Sequence, residues 1–233
     1  MILFLFFILS LVPSIALYLW LRGQKDMQEG YKERCRKALI AGCLSIFPVV
    51  LCSMLLNIAG NLFIPREGHE VLYQVYYKFF VLAFSEELVK FLSMKKAAKG
   101  RSCSWLEYTI YMMIVGLGFE VMEAIPYAIG SGAPQMLVRG ITMMHIGFGY
   151  IMGRLYGKYR YTGKKVYAVL GFAVPWFFHG LYDFTLSPEV LELNDNIAFI
   201  PVSIALACLV LVPFFIRFVR RAKGREDCTA PIS

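Results

Sequence analysis

The sequence predicts an all-α, polytopic membrane helix bundle with about seven transmembrane helices, the N-terminus outside and the C-terminus cytoplasmic. Three observations predict it. The 233 residues are 58% hydrophobic and only 17% charged, with a mean hydropathy of +0.60, whereas a soluble domain is about a quarter charged. Apolar runs repeatedly reach the roughly 20 residues that cross a ~30 Å hydrocarbon core. The segments between those runs alternate between basic and base-poor, the pattern that keeps Lys and Arg in the cytoplasm.

The runs fall at 2–21, 38–64, 71–94, 105–127, 136–157, 166–186 and 197–216. The first has neither a basic leader nor a small-residue cleavage site, so it reads as a retained helix and not a signal peptide. The second is long enough to tilt or to lie partly in the interface. Segment 22–37 carries Arg22, Lys25, Lys32, Arg34, Arg36 and Lys37, and segment 95–101 carries Lys95, Lys96, Lys99 and Arg101. Segment 154–165 carries Arg154, Lys158, Arg160, Lys164 and Lys165, and the tail carries Arg217, Arg220, Arg221, Lys223 and Arg225. The intervening loops hold almost no base: Arg66 stands alone in 65–70, and 128–135 has none. No polar stretch is long enough for a second domain, so residues 1–233 read as one membrane domain. The net charge of +8 and a pI near 9.2 belong to the cytoplasmic segments, so nucleic acid is not an expected partner. The six cysteines form no CxxC pair, and neither a disulfide framework nor a thiolate metal site is expected.

Once residues able to snorkel to an interface are set aside (Lys78, Glu107, Arg139), a short set of ionisable groups remains inside the runs. The third run holds Glu86, Glu87 and Lys90 in FSEELVK, and the fourth holds Glu120 and Glu123 in GLGFEVMEAIPY. The fifth holds His145, and the sixth holds His179 and Asp183 in PWFFHGLYDF. A charge at the centre of a bilayer helix costs about 2.5–3.5 kcal/mol on insertion scales, so such residues usually serve a function. Glu86 and Lys90, like His179 and Asp183, are four apart; Glu87 and Lys90, like Glu120 and Glu123, are three apart. Both spacings put two side chains on one helix face. Four consecutive runs can thus aim a polar stripe at one interior, and 71–186 is the motif-bearing core. Two backbone features accompany it: a Gly149–Gly153–Gly157 face suited to close helix approach, and Pro175, which removes a helical hydrogen bond one turn before His179. His69 lies in a loop and is assigned nothing.

Five carboxylates against one lysine leave an excess of negative charge that a low-dielectric interior does not tolerate. Some carboxyls hold protons, or the histidines are cationic, or a bound metal supplies positive charge. Each possibility makes a site poised for chemistry. Peptide hydrolysis needs an activated water, a stabilised oxyanion and a proton for the leaving amine, and Glu86, Glu87, His145 and His179 supply these types. No Ser or Cys has a convincing base partner, and neither HExxH nor GxGD occurs. The same groups would also serve a proton relay in a transporter, the alternative reading. Zinc accepts such N and O ligands, yet two carboxyl protons would offset as much charge. The spread of ligands over four helices tilts the reading slightly towards a glutamate-activated water, with the metal and its identity left open. One conflict remains: counted from the ends of the runs at 1.5 Å per residue, Glu86 lies about 12 Å and Glu120 about 24 Å from the cytoplasmic edge. A common site therefore needs tilt, a kink or shifted ends.

EELVK (86–90), FEVME (119–123), a lone His145 and HGLYD (179–183), in this order and spacing, resemble the PrsW family of bacterial intramembrane proteases, distant relatives of the CAAX prenyl endopeptidases and Abi-type membrane proteins. The resemblance covers runs three to six. It implies a helical bundle with a buried catalytic cavity in the bacterial cell membrane, making the first cut in a single-pass membrane protein such as an anti-sigma factor. By resemblance Glu86 and Glu87 match the paired glutamates and His179 the final catalytic histidine, while His145, Glu120 and Glu123 match further motif positions. In the CAAX relatives the second motif ends in His. Here that position is Glu123, so its role does not carry over directly.

Overall fold

The computed structural model describes residues 2–24, 27, 29–99, 104–130 and 142–222. Every regular element among them is helical. Helix α1 (Ile2–Arg22) is followed by α2 (Tyr31–Leu44) and α3 (Ile46–Phe63), which join through Ser45 into one rod. The Ser45 amide donates to the Ala41 and Gly42 carbonyls, and its Oγ donates to Gly42 O at 2.6 Å, so the turn is satisfied without a break. Next come α4 (Glu70–Val75), a π-helical stretch (Tyr76–Ala83) and α5 (Phe84–Ala97). The bundle continues with α6 (Trp105–Gly130), α7 (Met144–Thr162) and α8 (Lys165–Thr185). The short α9 (Pro188–Leu191), a 3₁₀ turn (Asp195–Ala198) and α10 (Phe199–Ala222) complete it.

Helix α6 is the axis. Its mean composition is apolar all round, as expected of a helix covered on every side, and Ile110, Tyr111, Ile114 and Val115 are fully buried. It is packed by α1, α2, α5 and α7. The glycine face of α7 lies against it: a Cβ on Gly153 would come within 2.7 Å of Thr109 Cα and Tyr108 O, and one on Gly157 within 2.8 Å of Trp105 O. Only glycine allows that approach. Gly153→Val should therefore lose about 1–3 kcal/mol through overpacking. That corresponds to a thermal midpoint lower by some 2–4 °C per kcal/mol for a chain of this size, measurable by a thermal shift assay in detergent.

The start of α6 corrects one expectation. Glu107 does not snorkel to an interface; it is fully buried. Its carboxylate accepts from Arg34 Nη2 at 3.3 Å and from the Ser104 amide at 3.2 Å, while Ser104 Oγ accepts from the Glu107 amide at 3.2 Å. Ser-x-x-Glu is a reciprocal capping box that satisfies two end-of-helix donors, and here the same Glu also neutralises a buried Arg. This pairing sets the first turn of α6 at the level of the basic segment that contains Arg34.

Among the described residues, three helical stretches are long and apolar enough to cross a membrane: Tyr31–Phe63, Trp105–Pro126 and Asn196–Arg217; Phe7–Arg22 is a shorter apolar helix. The outer face of α3 exposes Phe47, Leu51, Leu55 and Leu62, which suits contact with lipid tails. Helix α5 has only 14 residues and carries Glu86, Glu87 and Lys90, and α7 carries Arg154, Lys158 and Arg160. Part of the fifth expected run, together with Arg139, falls in 131–141, outside the described residues. Lys25, Arg101, Cys103, Lys223, Arg225 and Cys228 also lie outside them.

Candidate active site

The stretch that precedes FSEELVK is not α-helical. In the π-helical segment each bond spans one residue more, so the Phe84 amide donates to Phe79 O. Such segments are rare and cluster at functional sites. Phe79 O also accepts from Trp176 Nε1 on α8 at 2.6 Å. The Phe79 ring packs on Gly180, where a Cβ would come within 2.5 Å of it. The π segment is thereby fastened to the helix that carries His179. Trp176 is a contact that residue spacing did not disclose. Trp176→Phe keeps the ring packing but removes the donor; Phe79 O retains its bond from the Phe84 amide, so the loss is that of one hydrogen bond, about 0.5–1.5 kcal/mol. We expect a thermal midpoint a few degrees lower and cleavage slowed by about five- to tenfold, read in parallel on one preparation.

From this anchor α5 turns Glu86, Glu87 and Lys90 inward, at 8%, 1% and 1% exposure. Lys90 Nζ donates to Glu87 Oε1 at 2.6 Å and to His145 Nδ1 at 2.8 Å, and lies 3.9 Å from Glu86 Oε2. Its ammonium also sits 4.7 Å from the centre of the Phe119 ring. This one cation therefore neutralises part of the carboxylate excess from inside the cluster. Glu87 Oε1 accepts a second bond, from His179 Nδ1 at 2.8 Å. A neutral histidine that donates through Nδ1 keeps the lone pair on Nε2. That nitrogen faces Glu86 Oε2 at 3.7 Å and Asp183 Oδ2 at 3.6 Å.

His145 sits on the first turn of α7. Met143 just before it adopts φ +48°, a left-handed conformation uncommon for a residue with a side chain. Its carbonyl nevertheless accepts from the Ile146 and Gly147 amides, so the helix begins abruptly with His145 pointing inward. Because an ammonium only donates, His145 Nδ1 is the acceptor from Lys90. Nε2 then donates to Glu123 Oε2 at 2.7 Å. The two histidine rings meet edge to face with centroids 5.2 Å apart; Phe119 packs against His145 and Phe148 stacks on His179. These aromatic walls, like Trp176, look like ordinary apolar core in the sequence.

The structure thus joins Glu86, Glu87, Lys90, Glu123, His145, His179 and Asp183 in one continuous set of contacts between α5, α6, α7 and α8. Glu120 is also buried, one turn earlier on α6, but the carboxylate bonded to His145 is that of Glu123. Asp183 and Glu123 form the more exposed rim, with side chains 18% and 14% accessible. Glu86, His145 and His179 each offer a ligand atom within 4.8 Å of the others. Glu86 Oε2 is buried without a hydrogen-bond partner. An orphaned carboxylate oxygen facing two imidazoles is a donor set of the kind zinc accepts, so these residues fit a metal ion.

The chain is similar in sequence to known proteins. Curated relatives include "Protease PrsW" of Bacillus subtilis (strain 168), 27% identical over 190 residues, which cover 76% of this chain and 81% of the relative. "Protease PrsW" of Geobacillus kaustophilus (strain HTA426) is 25% identical over 185 residues, covering 76% and 77%. No solved structure gives a significant match. The family profile described as PrsW family intramembrane metalloprotease matches residues 34–217, a stretch that runs from the Arg34 anchor to α10 and contains every residue of the site. By that match the chain belongs to the PrsW family of intramembrane proteases.

Proposed function

We propose that this chain hydrolyses a peptide bond of a single-pass membrane protein, such as an anti-sigma factor, at the cluster formed by Glu86, His145 and His179. The observation that supports this most is the convergence of these three groups within 4.8 Å in a buried position. In this reading the chain is a multi-pass protein of the bacterial cell membrane with seven spans, an outer N-terminus and a cytoplasmic C-terminus, and 71–186 carries all of the chemistry. The alternation of basic segments supports the orientation. The family match leaves the transporter reading without support.

The two adjacent glutamates have different roles. Glu87 Oε1 accepts from both Lys90 and His179 and is held between them. It is a positioning residue that fixes the His179 tautomer, as a carboxylate does for a metal-bound histidine. Without a bound metal, Glu86, whose buried Oε2 makes no hydrogen bond, is the carboxylate that takes a proton from the attacking water and returns it to the leaving amine; with a metal bound, that oxygen would be a ligand instead. His179 Nε2 faces the same space and orients the water or the scissile carbonyl. Lys90 and Glu123 hold the His145 ring from its two sides, and Asp183 buffers His179 at the rim. Glu86, His145 and His179 would hold a metal ion, zinc being the candidate. Bound there, it would polarise the carbonyl and make water acidic enough to attack at neutral pH. For His145 to hold the ion its Nδ1 would have to give up the Lys90 ammonium, because both of its nitrogens are engaged. This assignment replaces the slight preference for a metal-free mechanism: the sequence counted ligands spread over four helices, whereas the structure brings three of them within reach of one ion.

The test is reconstitution of the purified full chain in liposomes with a membrane-anchored anti-sigma factor, followed by exhaustive chelation. Activity should vanish and return with about one equivalent of zinc, and zinc binding, measured by elemental analysis, should be lost in His179→Ala. Cleavage that survives complete metal removal would restore the glutamate-only mechanism. Absence of any cleavage in the zinc-loaded wild type, with other single-pass substrates also intact, would remove the protease reading at this cluster.

A further inference from the structure

A second site lies between α5 and the α2–α3 rod, about two turns along α5 from Glu86. Residues Lys37, Ile40, Ala41, Leu44, Ser45 and Pro48 of the α2–α3 rod, with Ser93, Lys96 and Ala97 of α5, enclose a cavity of about 410 Å³. Its lining is ordered from end to end. Lys37 stands in the middle of α2 and Lys96 near the end of α5; α2 packs on α5 while α3 packs on the π segment, so the rod and α5 run in opposite directions and both lysines line one end of the cavity, its mouth. From that mouth Ile40, Leu44 and Pro48 descend the rod as a stripe of apolar side chains, all exposed. Lys37 to Pro48 spans about 16 Å at 1.5 Å per residue, roughly half of a ~30 Å hydrocarbon core and so the depth of one leaflet.

We propose that this groove binds one anionic phospholipid of the cytoplasmic leaflet, with its phosphate between Lys37 and Lys96 and an acyl chain along Ile40, Leu44 and Pro48. Charge complementarity selects the headgroup. Glu33 makes two bonds to Arg36, at 2.7 and 3.0 Å, and a longer ion pair to Lys37 at 3.9 Å, so it offsets only part of the mouth's charge. Among the described residues no carboxylate lies within ion-pair reach of Lys96. Basic pockets between helices on the cytoplasmic side are sites where acidic headgroups bind. Ser93 lies two turns along α5 from Glu86, so the lipid would brace the helix that carries the candidate base. The inference rests on the membrane orientation proposed above and not on proteolysis.

The experiment is native mass spectrometry of the full chain released from detergent after incubation with phosphatidylglycerol or phosphatidylcholine of identical acyl chains. One phosphatidylglycerol should be retained, at least about fivefold more than phosphatidylcholine. Lys37→Gln/Lys96→Gln, which alters two exposed side chains, should lower that retention by about fivefold. Ser93→Trp, which fills the groove with both lysines intact, should lower it comparably. Cleavage-dead Glu86→Gln should retain the lipid fully, so failure here and failure of the protease reading are separable. Equal retention of both lipids, or unchanged retention in the lysine double variant, would overturn the proposal. So would full retention in Ser93→Trp, which would mean surface adsorption only, or capture of a polypeptide in place of lipid by a photo-crosslinker at position 93.

Discussion

Glu86→Gln and His179→Ala should each reduce cleavage of a membrane-anchored substrate by at least about 10³-fold, while the protein still inserts and melts within a few degrees of the wild type. General acid–base groups contribute roughly 10²–10⁴-fold, and both residues face the same space from α5 and α8. Glu86 Oε2 makes no hydrogen bond, so the amide variant leaves no donor newly stranded. Stability should therefore change little even as chemistry stops. Glu87→Gln differs. Its carboxylate holds Lys90 and His179 at once, so activity should fall together with the thermal midpoint. Membrane-fraction quantitation, a thermal shift assay and single-turnover cleavage on the same preparations separate the three cases. Normal cleavage by Glu86→Gln with a collapsed Glu87→Gln would exchange the two roles.

Lys90→Met should give the largest loss of stability. Removing one partner of a buried ion pair leaves an uncompensated charge and costs about 3–5 kcal/mol. At some 2–4 °C per kcal/mol, the thermal midpoint should fall by roughly ten degrees. Here the ammonium serves Glu87, Glu86 and His145 together. The double variant Lys90→Met/Glu87→Gln should recover most of the loss, because removing both partners also removes the stranded charge. A double variant as unstable as the sum of its parts would show that Lys90 stabilises through its stem and the Phe119 contact, not through its charge.

The glycine face of α7 and the polar stripes of 86–90, 119–123 and 179–183 were legible because helical geometry fixes which residues share a face. Three- and four-residue spacings carry that information without any knowledge of neighbouring helices. Trp176, Phe119 and Phe148 were not legible. An aromatic in an apolar run is indistinguishable from core until the neighbouring helix is placed, and a π segment has no pattern of its own in FFVLA. Glu107 was misread for a related reason. Its position near the start of a run suggested an interface, whereas its partner Arg34 lies far away in the chain.

By itself, the sequence determined the all-helical membrane class, the set of ionisable residues inside the apolar runs, the imbalance between their charges, and the family resemblance. Composition and local periodicity are properties of the chain, and the bilayer's dislike of charge makes each buried ionisable group conspicuous. Only the tertiary structure decided that Glu123 meets His145, that Lys90 bridges α5 to α7, that Lys90 and His179 share Glu87 Oε1 while Glu86 Oε2 makes no hydrogen bond, and that the start of α6 meets Arg34. These are lateral relations between helices. They depend on how deep each helix sits, how it is rotated and how closely its glycines let it approach its neighbours, and packing sets all three only when the whole bundle is assembled.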